Sequence, residues 1–120
     1  MERQAGVEMS RREDVGVVTF KGTSISDTEG IARASTEIKE FVKDNQLKKI
    51  VFDFEVVKFF SSGVLGVLID IRNKLEEKGG EAVISGIIPQ LYRVFKITNL
   101  DSIFRFFPNR ESAVKAICTN

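Results

Sequence analysis

The chain has 120 residues, 42% of them hydrophobic, which suits one domain with one core and leaves no apolar run long enough to cross a bilayer. Its 18 lysines and arginines stand against 17 acids, so it lacks the dense basic stripe that a nucleic-acid backbone demands, and nucleic acid is not an expected partner. It has no histidine, which removes the commonest general base and the commonest metal ligand together, and its one cysteine, Cys118, has no mate for an intrachain disulfide.

Taken in chain order, Met1 to Ser10 hold Glu2, Arg3 and Glu8 without an apolar core, and do not read as a secretory signal. Val7, Met9 and Arg11 alternate with Glu8, Ser10 and Arg12; Glu13 and Asp14 interrupt, and Gly16 to Phe20 resumes as a second strand of a hairpin. Ser26-Asp27-Thr28-Glu29 has the form of a capping box, with Ser26 as the cap. Ile31, Ala34, Ile38, Phe41 and Val42 then recur at helical spacing as far as Asp44-Asn45. Ile50 to Phe54 is a short, unbroken run typical of a parallel strand covered on both faces.

Ser61-Ser62-Gly63 opens a helix whose stripe is Val64, Leu68, Ile71 and Leu75, and Lys78-Gly79-Gly80 closes it. Ala82-Val83-Ile84 predicts another strand. Pro89 suits a first helical turn, and Leu91, Val94 and Phe95 supply that helix's apolar side. Asn99 suits a left-handed cap, Ser102 to Phe107 predicts a strand, and Asn109 caps a last helix bearing Ala113, Val114 and Ile117. The sum is β-β-α-β-α-β-α-β-α without repeat or linker. It is an α/β fold: one domain over residues 1–120 with a core over about 7–117, a mixed, mostly parallel sheet of about five strands, about four helices and an N-terminal β-hairpin.

Partners of such sheets meet the loops after strand ends, which directs attention to Ser61-Ser62-Gly63. On a helix, Ser62, Gly66, Asp70, Asn73 and Glu77 share one face, opposite the apolar stripe. Gly66 inside a helix costs about 1 kcal/mol against alanine, a cost more readily understood if another backbone approaches there. A phosphate on Ser62 would carry roughly −1.5 to −2 charges, which a helix N-terminus tolerates and a docked partner does not. Serine is also a preferred helix cap in any protein, so Ser61 and Ser62 are open to that plainer use. Asp27 and Asp53 are candidates for shaping the site, Asp27 being equally a candidate cap. Phe60 adds an apolar anchor to the docking face if it is exposed beside Ser62, and otherwise belongs to the core. No paired carboxylates, phosphate loop or nucleophile elbow accompanies these residues, so neither catalysis nor a cofactor or metal is expected.

The order Ile50-Val51-Phe52-Asp53-Phe54, Val57, then Ser61-Ser62-Gly63-Val64-Leu65-Gly66-Val67-Leu68 resembles the STAS domain family, in its anti-sigma factor antagonist (anti-anti-sigma factor) type. Lys78-Gly79-Gly80, Thr98-Asn99-Leu100 and Ile103-Phe104 extend the likeness. The resemblance implies transcription control by partner switching in a bacterial cytoplasm. The partner would be an anti-sigma factor that is also a serine-protein kinase, a phosphatase would reset the switch, and self-association is open. The implied phosphorylation site is Ser62, then Ser61, and the implied contact residues are Asp27, Phe60, Ser61, Ser62, Gly63, Gly66, Asp70 and Asn73. The family's Asp before the two serines is replaced here by Phe60, which keeps a second expectation: a non-phosphorylated regulatory subunit of a lipid- or anion-transport complex, without insertion into the membrane.

Overall fold

The computed structural model describes residues 6–119; the charges at Glu2 and Arg3 used in the reading of the N-terminus lie outside them. The elements in order are β1 (Val7–Arg12), β2 (Val15–Phe20), β3 (Ser24–Ile25), α1 (Thr28–Asp44), β4 (Lys49–Asp53), β5 (Phe59–Phe60), α2 (Ser62–Glu76), β6 (Glu81–Ser85), α3 (Pro89–Ile97), a 3-10 turn (Leu100–Ser102), β7 (Arg105–Phe107) and α4 (Arg110–Ile117). β1 and β2 form the expected hairpin, Val7 facing Phe20 and Arg12 facing Val15, with Glu13 in the left-handed region (φ 58°) that two-residue turns favour. The main sheet runs β1-β2-β4-β6-β7, parallel throughout except for β1. This is the α/β architecture that the alternation of strands and helices predicts.

β4 lies at the centre, and its side chains alternate between two cores. Ile50 and Phe52 join Ile38 and Val42 of α1, Leu68, Ile71 and Leu75 of α2, and Phe95 of α3. Val51 points the other way, to Val15, Val17 and Val83 and to Ala113, Val114 and Ile117 of α4. Three helices therefore cover one face and α4 alone covers the other. Burial on both faces is why Ile50 to Phe54 carries no solvent alternation, and each such side chain contributes roughly 1.5–3 kcal/mol.

The helix ends follow local chemistry. Asn99 takes φ 65° after α3, and the Asn109 side chain accepts from Ser112 N at 2.8 Å to start α4. At Gly80 a Cβ would sit 1.9 Å from the Lys48 carbonyl oxygen, so the turn after α2 passes the entry to β4 too closely for any side chain. Three expectations are corrected. The cap of α1 is Asp27, the other candidate the sequence offered, and not Ser26: its Oδ2 accepts from Gly30 N at 3.0 Å, so the cap stands one residue later than the capping box places it. The last strand begins at Arg105, because Leu100–Ser102 closes into a 3-10 turn. A two-stranded parallel ribbon, β3 with β5, adds two short strands that the β-β-α-β-α-β-α-β-α order does not contain.

Candidate docking site at the start of the second αβ helix

The β3–β5 ribbon sets the geometry of the site. Ser24 lies opposite Phe59 and Ile25 opposite Phe60; Ser61 N donates to the Ile25 carbonyl at 2.9 Å, and Lys58 N and Phe59 N donate to that of Thr23 at 2.7 and 3.1 Å. Two parallel strands in register feed two helices, so the starts of α1 and α2 come out side by side and Asp27 is level with Ser62. Between them, behind Ile31, Val64 and Val67, lies a cavity of about 160 Å³.

Ser61 stands at the cap position of α2 with extended backbone, but its side chain makes no capping bond. Ser62 is the first helical residue and is exposed, and neither hydroxyl is hydrogen-bonded among the described residues. The plainer use of these serines as side-chain caps is therefore not realised. Gly63 and Gly66 are exposed as well. A Cβ at Gly66 would meet nothing within 4 Å, so the fold itself does not require glycine there.

Along the same face, Asn73 is exposed and its Oδ1 accepts from Arg72 Nη1 at 2.9 Å. Asp70 is partly buried and pairs with Lys39 of α1 at 2.5 Å. The hydrogen bond from Lys39 holds its carboxyl below the usual carboxylate range, helped by the charges of Lys39 and Lys74 and opposed by burial. The structure thus brings Asp27, Ser61, Ser62, Gly63 and Gly66 together at one end of α2. Asp70 lies two turns further along, already tied to α1, and Asn73 nearly three.

Two expected site residues are placed elsewhere. Phe60 is only 6% exposed, its ring packing against Phe54 at 5.7 Å and Phe95 at 6.0 Å between centroids, so it is a core residue and not a surface anchor. Its neighbour Phe59, 52% exposed, takes the outer position. Adjacent residues on an extended strand point to opposite sides, and that rule was the available signal for Phe59. Asp53 faces the α4 side of the sheet, away from Ser62: its Oδ1 accepts from Ser85 Oγ at 2.9 Å, and Arg110 Nε lies 3.8 Å from its Oδ2. It shapes the far face of the sheet.

The second αβ helix thus buries one stripe in the core and leaves a serine and glycine face unpacked at its start. The chain belongs to the STAS domain family, whose model matches residues 6–113. It is 24% identical over 108 residues to an anti-sigma F factor antagonist of Paenibacillus polymyxa, covering 90% of this chain and 91% of that one. Its fold is that of an anti-sigma-factor antagonist (STAS) domain protein from Planctomyces limnophilus, with a TM-score of 0.84, 18% identity and coverage of 95% and 98% of the two chains. It is also similar to the anti-sigma factor antagonist SpoIIAA in its unphosphorylated form, with a TM-score of 0.75, 20% identity and coverage of 92% and 93%. Among the described residues no helix is long and apolar enough to cross a membrane, and no group of acids or Cys118 is arranged to hold a metal.

Proposed function

We propose that the chain is an anti-sigma factor antagonist that binds an anti-sigma serine kinase through the start of α2, in a bacterial cytoplasm, and is switched off by phosphorylation of Ser62. The observation that carries the reading is the bare surface running from Ser62 to Gly66. Its hydroxyl is exposed and unbonded, and its glycine answers to nothing inside the domain. A partner backbone can approach Gly66 without meeting a side chain. A phosphate at the first position of α2 would lie at the positive end of the helix dipole and leave the fold intact, while placing close to two negative charges where a partner would otherwise exclude water. Ser61 is the lesser acceptor, being partly buried and bound through its backbone to the ribbon. A phosphatase would restore the binding form.

The test is to incubate the protein and its Ser62→Ala variant with candidate anti-sigma kinases and ATP, and to read intact mass. One added phosphate, absent from the variant, is the expected outcome. A kinase that binds but never modifies the protein would favour a second reading, which rests on Phe60: with a buried ring in place of an acid, no carboxylate directly precedes the two serines for a kinase to read. The domain would then serve as a non-phosphorylated regulatory subunit, as in a lipid- or anion-transport complex, and would co-purify with a transport ATPase.

A further inference from the structure

Away from Ser62, the C-terminal halves of α1 and α2 leave between them a groove of about 410 Å³. Its floor is Val42 of α1 with Ile71 and Leu75 of α2, all three buried in the core, so the apolar surface it offers is chiefly that of the lysine stems along its sides. Its banks are Lys39 and Lys43 on one side and Lys74 and Lys78 on the other, and no acid lines it. The lysine stems continue the apolar floor up both banks while the ammonium groups stay in water. Lys39 and Lys43 are one helical turn apart, about 6 Å along the axis of α1, while Lys78 lies in the turn just past α2, four residues after Lys74.

Lys39 is paired with Asp70, whereas Lys43, Lys74 and Lys78 make no ion pair among the described residues. The whole chain carries a net charge of only +1, so four lysines around one groove are a local concentration rather than a share of a general excess. Lys43 and Lys74 lie in last helical turns, where the dipole favours cations, but the dipoles do not account for two facing ranks across an apolar floor.

We propose that this groove docks an acidic amphipathic helix of a protein partner, at a site separate from the Ser62 face. An incoming helix would lay its apolar stripe along the lysine stems and set acids against both lysine ranks, a helix-in-groove arrangement with complementary charge. A ligand with a single anionic head, such as a fatty acid, satisfies one end of one rank and leaves the others unpaired. Lys74 comes twelve residues after Ser62, about 18 Å along α2, so the two surfaces can be occupied independently.

The test uses the full chain and a fluorescein-labelled synthetic helix with a leucine stripe flanked on both sides by glutamates, against a scrambled peptide of the same composition, followed by fluorescence anisotropy. The amphipathic peptide is expected to bind about tenfold or more tighter than the scramble, and to weaken about tenfold between about 50 and about 300 mM salt. The Lys43→Gln, Lys74→Gln, Lys78→Gln triple variant should lose about as much, with its circular-dichroism melt confirming the fold; Lys74→Glu alone should give a partial loss in the same direction. Ser62→Glu should bind the peptide as the parent does. Equal binding of the two peptides, undiminished binding to the triple variant, no binding at about 1 mM peptide, or loss on Ser62→Glu would each overturn the proposal. Displacement of the peptide by oleate at matching affinity would overturn it in favour of a lipid occupant.

Discussion

The Phe60 ring sits between Phe54 and Phe95, and the consequence for the docking face is quantitative. Phe60→Asp, which restores the family's acid, buries a carboxylate among aromatic rings and is expected to lower unfolding stability in urea by at least about 3 kcal/mol. Phe59→Ser should stay within about 0.5 kcal/mol of the parent and weaken binding of the proposed kinase instead. A Phe60→Asp protein as stable as the parent would mean that the ring is not packed as described. Gly66→Ala divides in the same way: the added methyl meets no atom of the domain, so the helix should gain up to about 1 kcal/mol in thermal or urea unfolding, while affinity for the proposed kinase falls. At this scale the order along one helix was enough to place Ser62, Gly63 and Gly66 on an exposed face at the start of α2. It did not reveal which of two adjacent phenylalanines faces inward, because that depends on the register of a ribbon too short to show a pattern.

Besides their shared core, α1 and α2 are joined by the Lys39–Asp70 pair, and its dependence on pH has a definite sign. Since Lys39 holds the Asp70 carboxyl below the usual range, the folded state binds that proton less readily than the unfolded state does. The pair therefore stabilises the fold fully above an unfolded carboxylate value of about 4, and loses its effect as pH falls below it. The parent should melt above Asp70→Asn near neutral pH, with the gap closing under acid; a gap unchanged down to about pH 3 would assign the effect to packing alone. The pair is half exposed, so the gap should be small and should shrink in salt. Asp27→Ala removes the cap of α1 and should cost about 1 kcal/mol in urea unfolding. The four helices were legible because each buries a stripe at helical spacing, and Asn99 and Asn109 because few residue types can do what those positions ask. The two strands of the ribbon have two residues each, which leaves no alternation to read, and the choice of Asp27 over Ser26 as cap follows from where that ribbon ends.

Across the whole molecule the two faces of the sheet are unequally protected. α1, α2 and α3 share one core, while on the other face the eight residues of α4, with Phe107 and Cys118 at the margin, shield Val15, Val17, Val51 and Val83. Hydrogen exchange should accordingly find the amides of β4, between β2 and β6, opening only with global unfolding, and those of α4 and the edge strand β7 opening earlier; exchange from β4 as fast as from β7 would contradict this ordering. The five-stranded α/β plan was fully legible, because a buried parallel strand and an amphipathic helix leave different periods in the chain.

The β3–β5 ribbon, by setting Asp27 level with Ser62, makes the address that a partner would read a composite one, written in two stretches of chain more than thirty residues apart. Recognition could then diverge between paralogous switches in one cell through changes at positions 24–29 alone. Ser62, the proposed acceptor, and its flanking residues would stay as they are, and cross-talk between parallel circuits would be suppressed without rebuilding the chemistry of either.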